Sequence, residues 1–385
     1  MVAPLAGRYL PTLAKWLGLF VLALNARSLP FMWHFRTFRP IFYIRARFLL
    51  FRLRQRLLFH SRSERKKAAQ KWLQELSPIG EDPIAKWVSW RSFAGFDDCD
   101  YNLHLSNSCY PKNMDAARLT AAMAYNPAFF RAGGWMALGA THFNFIREIP
   151  MFSRYEVRMS IVAWDQKWVF VISRFVTFPK KKPSSKKLKP SAAQLQAEQS
   201  SASASENEHM PAFASVHTPA SGTATPLPPS STTDFKSTPE ANAAMQALAA
   251  SQASMLEPDG ATLNCVSVAE MCYKHGRITV PPGLVMACDG FSVPSNVPGE
   301  VYSKTNPPPH WKEVQKIYEE GGMKGMAKFL RGGWRDVQPG EDGKRWFERA
   351  MGGSVEERRA RNLALVEGVK KGLEGAREAS GSYEF

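Results

Sequence analysis

The chain reads as an α+β protein in which one antiparallel sheet is packed round a single helix, and three observations carry that reading. Tyr155, Val157, Met159 and Ile161 alternate with Arg154, Glu156, Arg158 and Ser160, which is the clearest period-two pattern in the sequence. A tight Asp165-Gln166 turn then leads into a second β-prone run from Trp168 to Phe178, so the two form a long antiparallel hairpin. Upstream, Met114, Ala117, Ala121, Ala122 and Ala124 recur at helical spacing, and residues this small let a sheet wrap closely round the helix that bears them.

Taken in order, residues 1–60 are a hydrophobic and basic segment. Leu10, Leu13, Trp16, Leu17, Leu19 and Phe20 open an apolar run that breaks at Asn25-Ala26-Arg27-Ser28 and resumes at Leu29. About twenty consecutive apolar residues are needed to cross a bilayer. The run is compatible with a signal-anchor helix, an interfacial helix, or a cleaved signal peptide with Arg8 and Lys15 as its charged start. Phe42 to Phe59 then mixes arginine with leucine and aromatics. That composition suits a helix on an anionic membrane surface, where each arginine is worth about 1 kcal/mol near the headgroups. The plainer alternative is a helix packed on the protein's own core. Arginine in excess on the C-terminal side of the apolar run keeps the following domain in the cytosol by the positive-inside rule. The segment is expected to hold the protein at a membrane without being needed for the fold.

Residues 61–84 form a charged helical linker that ends at Pro78-Ile79-Gly80-Glu81-Asp82-Pro83. The main domain is expected over 85–178 and 261–290. Trp87, Val88, Trp90 and Phe93 form a strand, and the carboxylates and amides from Asp97 to Asn107 cannot continue it. Asn107 or Ser108 can cap the helix that follows, and Pro111 is tolerated in its first turn. Free N–H groups at such an N-terminus favour an anion or a polarised carbonyl oxygen. Asn126-Pro127 ends the helix, and Gly134 to Ile149 hold the next strand.

Residues 179–260 are rich in Lys, Ser, Ala, Thr and Pro and poor in large apolar groups, so they are expected to be a disordered insertion apart from a short helix over 241–255. Lys180, Lys181, Lys182, Lys186, Lys187 and Lys189 either bind phosphate groups or form a solvated tether. Loop-closure entropy grows only logarithmically with length, so the hairpin can resume across the insertion in a last strand from Thr262 to Tyr273. Residues 291–385 read as a mostly helical C-terminal extension, with Trp334, Trp346 and Phe347 as aromatics that fold back on the main domain.

The loop before the helix carries the chemistry. Its spacing Asp-x-x-x-His-x-x-Asn, followed by an aromatic residue and a helix, resembles the signature of hotdog-fold acyl-CoA thioesterases, usually Asp-x-x-Gly-His-Val-Asn-Asn-x-x-Tyr. Asp100, His104, Asn107 and Tyr110 match it, while Leu103 stands at the glycine and Ser106 at the first asparagine. Within that superfamily the chain is most similar to the thioesterase-like (THEM6-like) branch, over residues 85–178 and 261–284.

The resemblance implies a hotdog fold, an antiparallel sheet wrapped round a central helix, with N-terminal membrane-associated helices. It implies an acyl-CoA or other acyl-thioester substrate, no cofactor or metal, a homodimer and a place in lipid metabolism. Asp100 is implied as the residue that activates water or attacks directly. His104 and Asn107 would shape the loop and orient substrate or water, and Leu103, Ser106, Ser108 and Tyr110 would lie on the substrate side. Backbone N–H groups at the helix start would hold the developing oxyanion. The other reading of the same residues is that Asp100 and Asn107 merely set the turn and the helix start, as Asp and Asn commonly do. The protein would then be a non-catalytic acyl-binding or scaffolding hotdog at a membrane.

Composition narrows the alternatives. The formal charge of +16 is concentrated in residues 27–67, in 180–188 and near the C-terminus, which points to local contacts with lipid or solvent and not to nucleic acid. Cys99, Cys109, Cys265, Cys272 and Cys288 form an odd set without a CxxC, against a disulfide framework or a structural zinc site and in favour of a reducing compartment. The sequence has no G-x-S-x-G elbow, Walker loop or H-E-x-x-H helix, so serine hydrolase, NTPase and zincin readings lose their main support.

Overall fold

The computed structural model describes residues 3–58, 61–178, 257–295 and 297–381. The insertion read over 179–260 lies outside the described residues up to residue 256, together with its lysines and its short helix. The chain divides into two units, residues 1–177 with 263–385 and residues 178–262. What is described of the second is largely a turn, in which the Glu257 N–H donates to the Ala261 carbonyl at 2.8 Å and the Gly260 N–H to that of Glu257 at 2.8 Å.

The first unit is built on one sheet of β1 (Val88–Phe93), β2 (Trp135–Phe145), β3 (Arg154–Trp164), β4 (Val169–Thr177), β5 (Thr262–His275) and β6 (Ile278–Val280). The order across it is β1-β3-β4-β5-β2, with β6 added to β5. The β1–β3, β3–β4, β2–β5 and β5–β6 pairings are antiparallel. The turn between β3 and β4 closes on Asp165, whose Oδ1 accepts the N–H groups of Lys167 at 2.7 Å and Trp168 at 2.6 Å.

The central helix α4 (Cys109–Tyr125) lies against this sheet and reaches its strands from end to end. The Tyr110 ring packs 5.0 Å from Phe145 of β2 and 4.9 Å from Phe175 of β4. Arg118 donates to Thr141 Oγ1 of β2 at 2.9 Å. Near the other end of the helix, Ala121 and Tyr125 share a small apolar cavity with Met136, Ile161, Val171 and Met271, which come from β2, β3, β4 and β5. Ala116, Ala117 and Ala121 are buried, and their lack of bulk lets the strands close round the helix. The sheet-round-helix expectation holds, and the architecture is that of a hotdog fold.

The alternation in β3 foresees one wet face, and there the structure differs. Glu156 and Arg158 are buried as well. Glu156 takes Arg91 at 2.8 Å and Arg158 at 3.1 Å, so its buried carboxylate is paired within the sheet. Further along, the helix α9 (Gly353–Gly381) covers the strand, with Asn362 Nδ2 donating to the Val162 carbonyl at 2.9 Å and Val366 packed with Ala163 and Phe170.

The helices flanking the sheet join the same core. After α5 (Pro127–Arg131) and α6 (Pro282–Asp289), Trp311, Val314, Met326 and Leu330 of α7 (Trp311–Leu330) and Phe347 of α8 (Trp346–Ala350) are buried in it. His275 at the end of β5 donates from Nε2 to the Ala132 carbonyl at 2.8 Å and accepts at Nδ1 from Arg331 Nε at 3.1 Å.

At the N-terminus lie α1 (Ala3–Leu24), a 3-10 turn (Ala26–Ser28), α2 (Met32–Leu57) and α3 (Arg62–Gln74). Ser61 caps α3 through a capping box with Glu64. Phe48 and Phe51 of α2 pack on Trp72 of α3, at ring separations of 5.1 and 6.0 Å. Among the described residues no helix is long and apolar enough to cross a membrane. The segment expected to be separable from the fold is joined to it, because α2 packs against α4 and Arg36 Nη2 donates to Asn113 Oδ1 at 2.5 Å.

Candidate active site

The motif loop folds as a miniature hairpin between β1 and α4. Its base is closed by the Ser106 N–H on the Asp98 carbonyl at 3.0 Å and by a bridge between Cys99 and Leu105. Its tip is closed by the Asp100 N–H on the His104 carbonyl and the Leu103 N–H on the Asp100 carbonyl, both at 3.0 Å. The returning arm is held by the segment after β2, with Leu105 N–H to Ile149 O and Met151 N–H to Leu103 O at 2.8 Å each.

Sequence explains this turn at two positions. Asp100 Oδ1 accepts the Asn102 N–H at 3.0 Å, the short-range bond by which aspartate makes a turn. Leu103 has φ +60°, a left-handed backbone that is natural for glycine and costs other L-residues about 1–2 kcal/mol. The position where the hotdog signature has glycine is therefore the position where this loop needs glycine's conformation, although the residue is leucine.

Asp100 is half-buried, and its Oδ2 has no hydrogen-bond partner among the described residues. His104 Nε2 lies 3.2 Å from a Glu148 carboxylate oxygen, a partner that the motif does not disclose. Ser106 and Ser108 share a hydrogen bond between their hydroxyls at 3.0 Å. The structure corrects the capping expectation, since Ser108 precedes α4 in helical backbone geometry and no side chain caps the helix. Asn107 is exposed. Pro111 sits in the first turn, as its missing N–H permits. Tyr110 is buried in the core between Phe145 and Phe175, whereas Leu103 and Ser108 are exposed on the loop.

The strongest electrostatic feature nearby is Asp98, a residue the motif does not single out. It is wholly buried. Lys112 Nζ reaches its Oδ1 at 2.9 Å, Arg27 Nη2 its Oδ2 at 2.9 Å, and Arg36 Nη1 stands 4.0 Å from Oδ2. Arg27 also donates to Ser92 Oγ at 3.1 Å and to the Phe93 carbonyl at 2.5 Å, with its guanidinium 4.5 Å above the Phe93 ring. Burial, and then the neighbouring Arg27, lower the Arg36 pKa, and Asp98 opposes them. The run Asp97-Asp98 is visible in the sequence, but two of the cations on Asp98, Arg27 and Arg36, come from the distant N-terminal segment, with no local signal to announce them.

These surroundings decide which chemistry the loop can support. Burial, with the charges of Asp98 and Asp100, pushes the Cys99 thiol up to about 11, and burial raises Cys109 too. Neither cysteine is an activated thiolate at neutral pH. A half-buried carboxylate with one oxygen free of protein partners can activate water or attack a carbonyl, and the uncapped start of α4 follows it in the chain, where the Cys109 N–H donates to the Ser106 carbonyl at 2.8 Å and Pro111 has no N–H to offer. Among the described residues no group of three or more His, Cys, Asp or Glu side chains is placed to hold a metal ion.

Loop and helix fall within residues 94–231, which match the family model of the thioesterase-like superfamily. Over this stretch, about a third of its length, the chain is similar to that superfamily. It is 29% identical over 186 residues to a probable thioesterase, atnL, of Emericella nidulans, covering 41% of this chain and 53% of the relative. It is 30% identical over 95 residues to the probable thioesterase YBR096W of Saccharomyces cerevisiae, covering 23% and 40%. To the thioesterase poxG of Penicillium oxalicum it is 24% identical over 180 residues, covering 42% and 51%. The chain thus spans about half the length of the curated relatives it matches. Among solved structures, a mutant 4-hydroxybenzoyl CoA thioesterase in complex with 4-hydroxybenzoyl CoA aligns with a TM-score of 0.28 at 9% identity, over 51% of this chain and 95% of that one.

Proposed function

We propose that the protein is an acyl-thioester hydrolase that works at a membrane surface, with Asp100 as the base or nucleophile and the start of α4 as oxyanion donor. The observation that carries this reading is the placement of Asp100 in the motif loop, one oxygen held by the Asn102 N–H and the other unoccupied, within a domain of the thioesterase-like superfamily. Acyl-CoA is the substrate class to test first. The supporting parts are His104, held by Glu148, and the exposed loop side chains of Leu103 and Ser108.

The membrane part of the proposal rests on the N-terminal segment. Its first acidic residue is Glu64, while arginines recur from Arg27 to Arg56. Leu13, Trp16, Leu17 and Phe20 on α1, and Phe42, Tyr43, Leu49 and Leu50 on α2, are exposed. Apolar and aromatic groups interleaved with arginines fit a helix pair lying in the headgroup layer of an anionic bilayer, with the main domain facing the cytosol. Self-association is proposed through β2, an outer strand of the sheet on which Trp135 and Leu138 are each 48% exposed. A monomer at micromolar concentration would remove that part.

The test is hydrolysis of acetyl-, octanoyl- and palmitoyl-CoA by the full chain and by Asp100→Asn. Replacing the carboxylate with an amide keeps shape and hydrogen bonding but removes most of the basicity, so turnover should fall about 10²–10⁴-fold with binding held within a few fold. Wild-type rates in Asp100→Asn would end the catalytic assignment. The same Asx bond and the leucine at the glycine position favour one second reading, a non-catalytic acyl-binding scaffold. Acyl-CoA binding without turnover in either protein selects it.

A further inference from the structure

Asp98 sits where three parts of the chain meet. Its carbonyl closes the base of the motif hairpin through the Ser106 N–H. Its carboxylate is tied to Lys112 in the first turns of α4, and to Arg27 and Arg36 of the N-terminal segment. Arg36 makes a second bond to α4 at Asn113, and Arg27 a second and third to β1 at Ser92 and Phe93. Three cations around one buried carboxylate exceed what neutralising it requires. The surplus bonds run outward, to the strand before the loop and the helix after it.

We propose that Arg27 and Arg36 are positioning residues for the candidate site, fixing the Asp100 loop against the start of α4 from a segment that lies outside the hotdog domain. The proposal deepens the hydrolase reading, since it concerns regulation of the same site. Its physical core, the clamp on the loop, stands whether or not that reading holds. Neither arginine contacts Asp100, and their effect passes through Asp98, two residues before it. With the clamp intact, the loop carboxylate and the α4 N–H donors keep one separation. With it open, they move independently, and a misplacement of about 1 Å typically costs on the order of 10²-fold in rate. Because the clamp is carried by α2 and by the turn that joins it to α1, whatever seats those two helices also bears on the loop.

The experiment uses the full chain, with Arg27→Gln and Arg36→Gln singly and together, and Arg27→Lys as the conservative variant. Amide hydrogen exchange over residues 96–108 reads the clamp without reference to activity. In the double variant exchange there should quicken by at least about tenfold while β3 and β4 stay protected, and Arg27→Lys should recover part of the protection. In parallel, kcat for octanoyl-CoA should fall about 10–100-fold with KM within a few fold, again with partial rescue by Arg27→Lys. If the double variant loses protection throughout the sheet, Arg36→Gln decides, because it leaves the Arg27–Asp98 pair at 2.9 Å in place. Unchanged exchange over 96–108 in a folded variant overturns the proposal. A wild type without turnover defeats the hydrolase reading alone, and the exchange result still settles the clamp.

Discussion

Among the described residues two regions bury a carboxylate completely, and they meet its charge by different means. In the loop before α4, Asp98 is met by full opposite charges, Lys112 and Arg27 at 2.9 Å with Arg36 behind them. At the junction of α5 and α6, Asp289 is met by dipoles, the N–H groups of Ala128 at 2.7 Å and Phe129 at 3.3 Å and the Asn126 amide at 3.4 Å. Those donors lower its pKa, but desolvation outweighs them and pushes the Asp289 carboxyl up to about 7. Cations carried on separate segments tie those segments together. Helix-end donors also join two segments, α5 to α6, but leave a group that titrates near neutrality.

The largest expected effect would break this contrast on the loop side. Asp98→Asn strands the guanidinium of Arg27 and the ammonium of Lys112 beside a neutral amide, and removing one member of a buried pair typically costs about 3–5 kcal/mol. Since Arg27 and Lys112 keep 15% and 29% of their side-chain exposure, the lower end is expected, about 3 kcal/mol from urea midpoints at constant m. A loss under about 1 kcal/mol would make Asp98 an ordinary surface pair.

Next comes the pH dependence at the other region. A carboxyl whose native pKa is raised holds its proton more tightly folded than unfolded. Its stability contribution is fully present below the ordinary value of 3.8 and is lost as pH rises through about 7. Between pH 4 and pH 7.5 the wild type should lose about 3 kcal/mol relative to Asp289→Asn, whose profile should be flatter there. Parallel profiles would show that burial does not raise the Asp289 carboxyl.

Two smaller effects sharpen the loop side. Leu103→Gly relieves a left-handed leucine at about 1–2 kcal/mol but adds unfolded-state freedom worth about 0.5–1 kcal/mol, so a net gain of about 0.5–1 kcal/mol is expected. If the leucine side chain also obstructs the thioester carbonyl, the same variant should hydrolyse acyl-CoA faster. Asn107→Ala should shift stability by less than about 0.5 kcal/mol, because Asn107 is exposed and caps nothing. A loss near 1 kcal/mol would restore it as a helix cap.

Much of the fold was legible because its signals are local. The alternation from Arg154 to Ile161, the small residues of α4 and the Asn126-Pro127 stop each act within a few residues, and the strands and helix fall where those signals put them. The loop carrying Asp100 and His104 between strand and helix was legible for the same reason, as was leucine at a glycine position, but its folding into a miniature hairpin was not. What sequence could not supply was pairing at a distance. Arg27 reads as the hinge between two apolar runs and Arg36 as one more interfacial arginine, and only the tertiary arrangement brings both to Asp98. Glu148 is hidden in the same way, because the segment after β2 reaches His104 through the β-bridge at Pro150. The double burial of β3 was missed because α9, more than 190 residues later, supplies part of the cover.

Asn264 has one more consequence. It lies near the start of β5, where the chain returns from its long excursion after Thr177, and its Oδ1 accepts from Thr177 Oγ1 at 3.0 Å. Its Nδ2 donates to the Glu148 carbonyl at 3.0 Å, and its own carbonyl accepts from Ile146 and Arg147 at 2.9 Å each. One side chain thus seals the two mouths of the excursion and braces the stretch that presents Glu148 to His104. Loop-closure entropy grows slowly with length, so changes in the length of what lies between residues 178 and 262 should cost little so long as the pair at the gate is kept. A tag or reporter module spliced there should leave the sheet and the loop it presents intact.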